Sequence, residues 1–574
     1  MPKTLLQFPA NRFDLGVNLQ ASRNLQLGEL AEAISIRFER GSGVFTGPGY
    51  REVEDLATSA AVDALLGATV FKALWIKSGT KVFYMPDPDS GTSYDSGLTV
   101  TTATKSWFQQ QGNGDMHFFN QTDTPVRIAI ARNTAALTSA STEITVGADY
   151  IGKFSGVNPS TVRINDDAIT YTGKNATQLT GVTGIQAAGH AANQMVIQTS
   201  NPSTWVEEKG TFSFELEGRF CIGGQVNKEN ILSASAPEDE DNPAFFYDFD
   251  ANGEVKRIFP LSLTGGIAAL GRAFVFGERA VHQILGFDVA TGAFLTNPIS
   301  TLHGAYNPRC VVDMDGIACF MGNKRVMPIV LKLGPDAAVP SFDEAFDHKL
   351  RPWLDELDPF DDQDEAFLSY DPVQKILKVG ASRNGSVEVR VIDVQGAAPA
   401  GYESRPGSSW AFFDGKMYFG NTVGKIFRDD IGLTNDGATI THKWKTGRME
   451  TEEGRRPIQL HKLEYDGFMS EACEHTLRVY MDGSSTAAYS VTFDDSLITT
   501  LSGTPLGNRG IGVSTIAGST GVNVYPFKNN IILRGIEGED VQVEWEVSTP
   551  GAYFQVNSMN LTAYAIRRSQ RTYN

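Results

Sequence analysis

The sequence predicts an all-β protein: a β-propeller carrying an inserted small β domain and followed by a C-terminal β-sandwich-like domain. The first observation is local. WAFFDGKMYFGNTVGKIFRDD, Trp410 to Asp430, packs three short apolar runs and two turn signals into twenty-one residues. Asp414-Gly415 favours a two-residue hairpin turn, in which both central positions need positive φ, and Lys416-Met417-Tyr418-Phe419 alternates with the period of two of a half-buried strand. The second observation is recurrence. EGRFCIGG from Glu217, LGRAFVFGERAVHQIL from Leu270 and DGIACFMGNKRVMPIV from Asp315 repeat the pattern, and the leading glycines Gly218, Gly271, Gly316 and Gly415 are 53, 45 and 99 residues apart. AFLSYDPVQKILKVGASRNGSVEVRVIDV, Ala366 to Val394, fills the long interval with a further hairpin at Asn384-Gly385. A period of roughly 45 to 50 residues suits propeller blades, small sheets that bury their faces only against neighbours. The third observation is 57 glycines in 574 residues, above the usual share of about 7% and fitting many turns.

Length and composition set the bounds. The chain is too long for one ordinary domain, and 41% hydrophobic with 20% charged residues describes a protein with ample core. No apolar run approaches the ~18 residues that span a bilayer, and MPKTLLQFPANRFD lacks the apolar core of a secretory signal, so folding in a cytoplasm is expected. The net charge is −18. Tight nucleic-acid binding draws on basic surface and counterion release, so it is disfavoured, whereas DNA sliding past without sticking is compatible. Cys221, Cys310, Cys319 and Cys473 share no CxxC spacing and are expected as buried free thiols.

In chain order, residues 1–60 read as an N-terminal segment of a short helix, Leu27 to Ser35, and turns at Gly41, Gly43, Gly47 and Pro48-Gly49, docked on the propeller. Residues 61–137 hold the first blades, with hairpins in Val70–Met85 and Met116–Ala131. SYDSGLTV, Ser93 to Val100, matches the S-x-D-x-G-x-T turn of sialidase-type propellers, save that Val100 stands where an aromatic is usual. Residues 138–200, rich in Thr, Gly and Ala, interrupt the blade rhythm and read as the inserted domain. Residues 201–432 carry the remaining blades, and 433–574, with Asp482-Gly483 as a hairpin signal, form the β-sandwich.

Candidate chemistry is sparse. His190, among small residues, reads as structural. Glu238, Asp239, Glu240 and Asp241 form one acidic loop, and Asp355, Glu356, Asp358, Asp361, Asp362, Asp364 and Glu365 crowd another. Paired carboxylates run glycosidase chemistry at separations of roughly 5 to 10 Å, but nothing fixes such a pair here, and solvated, mutually repelling loops are the expectation. In a ring-shaped oligomer the same loops could line a channel or meet a basic partner. Asp248, Asp250 and Asn252 begin a calcium-loop pattern with Gly253, yet Phe259 occupies the position of the bidentate Glu, so a plain turn is expected. No phosphate loop, zinc motif or nucleophile elbow occurs. No cofactor and no catalytic residue is assigned. The basic tail of Arg567, Arg568 and Arg571 reads as solvated or as docking on an acidic neighbour.

GVNL from Gly16, LGELAEAISI from Leu27 and GSGVFTGPGY from Gly41, with the later GRFCIGGQVNKENILSASAPEDEDNP from Gly218, resemble the β-propeller tail proteins of short-tailed bacteriophages, the tail nozzle or tail tubular protein B group. The likeness extends in arrangement over most of the chain, on structural motifs without a catalytic signature. It implies a virion tail protein, not an enzyme: a homohexameric ring assembled in the host cytoplasm. Its partners would be the portal and adaptor rings of the head–tail connector, tail fibre or spike proteins, and double-stranded DNA passing through the lumen without tight binding. The inserted segment, from Gly152-Lys153-Phe154-Ser155-Gly156 through Ile169-Thr170-Tyr171-Thr172-Gly173 to His190-Ala191-Ala192, resembles segments of various phage virion proteins. The alternatives are a propeller glycosidase or depolymerase acting on host polysaccharide, and a glycan-binding propeller without turnover.

Overall fold

A computed structural model of the chain describes residues 4–566 apart from 11–17, 19–28, 39–42, 103–105, 158, 201–208, 226–227, 237–238, 250–261, 270–271, 289–292, 334–337, 344–345, 358–364, 384–385, 396–397, 451–456, 495 and 497–523. Among the described residues, seven four-stranded antiparallel units follow one another as blades. Blade one is Val62–Ala68, Ala73–Ser78, Lys81–Met85 and Tyr94–Thr99; blade two is Ser106–Gln110, Met116–Asn120, Val126–Arg132 and Met195–Ser200. Blades three, four and five begin at Phe212–Leu216, Leu263–Ala269 and Val311–Met314. Blade six is Phe367–Asp371, Ile376–Arg383, Ser386–Asp393 and Ala398–Ser404. Blade seven takes Ser409–Phe413, Lys416–Gly420 and Lys425–Asp429 from one part of the chain and its outer strand, Tyr50–Asp55, from the N-terminal segment.

The inner strands lie side by side in that order, and the last returns to the first. At this seam the Ser408 and Ser409 hydroxyls donate to Val62 O at 2.9 and 2.8 Å, and Val62 N donates to Asn421 O. Leu56, Val62, Leu74, Ile76, Phe83, Met85, Phe413, Tyr418 and Ile426 fill the space behind. Burying each such side chain contributes about 1.5–3 kcal/mol, against roughly 1 kcal/mol for a hydrogen bond. The apolar seam therefore supplies the closure, and the bonds fix its register.

The recurrent glycines share one position, the turn from a blade's inner strand to its second. Glu217-Gly218, Asp315-Gly316 and Asp414-Gly415 all have positive φ at both residues, at 51° and 67°, 52° and 90°, and 46° and 79°, which is the two-residue turn that matches strand twist. Gly271 lies outside the described residues.

The sandwich differs from the expected C-terminal body in its membership. One sheet joins Ile458–Ser470, Val524–Ile532 and Phe554–Ala565 to the N-terminal strands Thr4–Ala10 and, through Val44–Thr46, Ile36–Phe38. The other joins His442–Thr446, Asp540–Val547, His475–Met481 and Tyr489–Phe493 to Leu30–Ile34. Between them Trp444 and Trp545 stack with centroids 6.1 Å apart, beside Phe554, Leu463 and Leu477.

The short helix expected over Leu27 to Ser35 is therefore a correction: Leu30–Ile34 is a strand. Its helix-like spacing of apolar residues reflects a bulge between Leu30 and Glu32 and burial by two different partners. SYDSGLTV is also not a hairpin turn but the outer strand of blade one, bulged at Gly97 with φ 77°. The insertion leaves blade two after Arg132 and returns at Met195, residues paired directly across the sheet. It has its own core of Ile144, Phe154, Val162, Ile164, Ile169, Tyr171 and Leu179.

Candidate functional site

The junction between propeller and sandwich concentrates the residues that matter. Ala398–Ser404 and Leu30–Ile34 run parallel, Ile34 opposite Tyr402, so blade six continues into the sandwich sheet. Of GSGVFTGPGY, Gly43 to Gly49 thread through this junction and are buried throughout. A Cβ on Gly49 would stand 1.8 Å from Thr434 O, and one on Gly47 2.9 Å from Ser35 O. The backbones approach too closely for any side chain. Asn18 of GVNL donates through Nδ2 to Glu29 of LGEL at 3.1 Å, and Glu29 pairs with Lys349 at 3.0 Å.

Six charged side chains, each at most 6% exposed, meet beneath that segment. Arg37 pairs with Glu403 and, at 3.0 Å, with Asp430. Lys378 pairs with Asp429 and, at 3.0 Å, with Asp430. Arg405 donates from Nε to Asp429 at 2.7 Å, lies 3.3 Å from Glu403 and donates from Nη2 to Pro48 O at 2.7 Å. Three cations balance three carboxylates. Burial pushes the Asp429 carboxyl up, but Arg405 and Lys378 outweigh it and hold its pKa at about 2. Burial lowers His442 to about 4 against the hydrogen bond that its Nδ1 donates to Ser35 O at 2.6 Å.

Sequence reasoning missed this cluster. Lys378 in KILKVG and Arg37 in ISIRFE each stand out of phase with their apolar neighbours, Leu377 and Val379 in one and Ile36 and Phe38 in the other, so alternation alone reads them as solvent-facing cations. Asp429 and Asp430 closed the very stretch that identified the blade.

The predicted acidic residues are placed otherwise. Asp239–Asp248 is the outer strand of blade three, so Asp239, Glu240 and Asp241 belong to a strand where a loop was expected; Glu238 lies outside the described residues. The bulges in that strand, with Asp239 opposite Ala236, explain how so polar a run pairs. Asp355 and Glu356 sit exposed on the helix Arg351–Glu356, and Glu365 is exposed; Asp358, Asp361, Asp362 and Asp364 lie outside the described residues. Trp353 and Leu354 bury the other face of that helix. Asp248 accepts from Asn230 Nδ2 at 2.6 Å, while Asp250 and Asn252 lie outside the described residues. No group of three or more His, Cys, Asp or Glu that could hold a metal occurs among the described residues.

His190 is buried with Nε2 2.9 Å from Asp167, a structural pair within the insertion. All four cysteines are buried and outside any disulfide. Burial raises the Cys310 thiol to about 12 and pushes Cys221 and Cys319 further, so these remain thiols and not nucleophiles. No described helix is long and apolar enough to cross a membrane. Arg567, Arg568 and Arg571 lie outside the described residues.

No family profile matches the chain. No curated protein is significantly similar to it. Among solved structures it is similar to selenomethionine-substituted virginiamycin B lyase from Staphylococcus aureus, at 10% identity and a TM-score of 0.26, over 67% of this chain and 98% of that one. A catalytically inactive variant of that lyase with Quinupristin matches at 13% identity, a TM-score of 0.26 and the same coverage. Nothing about activity passes to this chain at that level of similarity.

Proposed function

We propose that the chain is a structural protein of a short bacteriophage tail, forming a ring-shaped nozzle below the portal and adaptor through which genomic DNA is retained and ejected. The observation that carries this reading is where the resembling motifs fall. Asn18, Gly43, Gly47, Pro48 and Gly49 are the residues that weld propeller to sandwich over a neutral, buried network of six charges. A part that transmits force between neighbouring rings needs such a joint.

DNA would pass through the lumen enclosed by the ring of copies. A net charge of −18 keeps the backbone from finding deep binding minima on its way out. Asp355 to Glu365 would face that lumen or a basic partner.

Electron microscopy of the parent particle tests the reading. A six-fold ring beneath the portal is the expected result, and a monomeric or trimeric appendage rejects it. Neutralising the acidic residues between Asp355 and Glu365 should alter genome retention or ejection kinetics. Release of sugar from host polysaccharide by the purified protein, abolished by replacing one carboxylate, would establish the glycosidase instead, and saturable glycan binding without turnover the lectin-like alternative.

A further inference from the structure

Among the described residues, many of the outer sheet edges are guarded. The edge strands of blades three, four and five carry Pro243, Pro298 and Pro340, and that of blade one carries the Gly97 bulge. Blade seven ends on the two-residue strand Ala438–Thr439. In the sandwich, Val524–Ile532 carries Pro526 and Lys528, Thr4–Ala10 carries Pro9, and Ile36–Phe38 is only three residues long. Prolines, bulges, lysines and short edges are how β proteins keep exposed edges from pairing.

Tyr489–Phe493 has none of these. It is the last strand of a ten-stranded sheet among the described residues and reads YSVTF, without charge, proline or glycine. Its inward residues Tyr489, Val491 and Phe493 are only half-buried against the sandwich core, and Ser490 and Thr492 are exposed. Thr492 already forms half of a hydroxyl ladder, 3.0 Å from Thr476.

We infer that this edge pairs antiparallel with the same edge of a second copy of the chain, about a two-fold axis through Val491. The sequence is self-complementary in that register. Tyr489 faces Phe493, Ser490 faces Thr492 and Val491 faces its own copy, so aromatic, hydroxyl and β-branched residues meet their like, the cross-strand pairs that stabilise antiparallel sheets. A two-fold contact closes on itself and leaves no new edge to propagate, which suits a pool of free chains awaiting assembly. The inference goes beyond the virion role and does not depend on it.

Sedimentation velocity on the purified full chain, across a wide concentration range, tests it with two double variants. Ser490→Lys with Thr492→Lys sets lysine opposite lysine at both symmetry-related pairs, and dimerisation should weaken roughly tenfold or more. Ser490→Lys with Thr492→Glu sets lysine opposite glutamate and should keep the dimer. Both place two charges on exposed positions, so a folding defect would strike them alike, and thermal unfolding checks that. A wild-type chain that stays monomeric, a lysine pair that leaves the dimer intact, or a Lys/Glu variant as weak as the Lys/Lys one overturns the inference. So does concentration-independent exchange protection of those amides of 489–493 that point away from His475–Met481, which would mean that the edge is already covered within one chain. The ring in the parent particle is judged separately and stands or falls apart from these results.

Discussion

At the scale of single residues, the junction cluster is where a side chain can be removed at the greatest cost. Arg405 holds Asp429, Glu403 and Pro48 O at once with no exposed surface. Arg405→Met should destabilise by about 3–5 kcal/mol, because the remaining carboxylates stay buried with too little positive charge. Urea unfolding measures it, and Lys81→Met, which breaks an exposed pair with Asp95 at 3.0 Å, should shift the midpoint by less than about 1 kcal/mol. The same burial sets the response to acid. His117, His442 and His475 are held at about 3, 4 and 3 by burial, below the ~6.5 of an unfolded chain. Unfolded chains therefore take up protons first. Stability should be level with respect to these groups above pH ~6.5 and fall as pH drops toward 4, by up to about 4 kcal/mol per unit for the three together. Asp429, lowered to about 2, extends the loss below pH ~3.9. Unfolding midpoints from pH 7.5 to 4.5 check the slope, and a flat profile would contradict it. None of this was legible in the sequence as a site. Lys378 and Arg37 read as ordinary polar-phase residues of their strands, their partners are distant in the chain, and only the fold brings Arg37 to Asp430.

At the scale of elements, the tight hairpins were legible because their physics is local. Asp414-Gly415 names its own turn, and the structure returns positive φ at both positions. Leu30–Ile34 and Tyr50–Asp55 were not, because what makes them strands lies elsewhere. YREVED has no apolar alternation, and it is a strand because Lys425–Asp429 pairs with it across most of the chain length. Two glycines separate local from tertiary demand. Gly415→Ala meets no atom within 4 Å but keeps φ at +79°, so it should cost about 1 kcal/mol of backbone strain. Gly49→Ala meets Thr434 O at 1.8 Å and must push the outer strand of blade seven, Tyr50–Asp55, away from Thr434–Asn435, so its cost should be several times larger. Thermal unfolding of the two variants ranks them; equal losses would mean that the GPG segment is free to shift.

At the scale of the whole molecule, two long excursions from the propeller look alike in sequence and differ in kind. The N-terminal segment completes blade seven and supplies strands to both sandwich sheets, so the ring and the sandwich share a folding unit. The insertion leaves and re-enters blade two at the directly paired Arg132 and Met195 and has its own core. It is nonetheless stapled to its neighbours. Lys153 Nζ pairs with the fully buried Asp115 at 2.7 Å and lies over Phe71 at 5.3 Å, and Arg163 packs on Gly97 of blade one. Replacing residues 133–194 by an Asn-Gly turn should therefore leave a cooperatively folding chain, since that turn suits the pairing. It should lose about 1–3 kcal/mol, because Asp115 keeps the Ile130 N–H at 3.0 Å but loses its cation. Adding Asp115→Asn to the deletion should recover part of the loss, because an amide oxygen accepts the same bond without a charge. Removal of residues 1–55 should instead abolish soluble folding, because it takes the outer strand from blade seven and strands from both sandwich sheets at once. Circular dichroism and urea unfolding of the three chains decide it. A shortened insertion that also fails to fold would make the inserted domain part of the propeller's own folding unit.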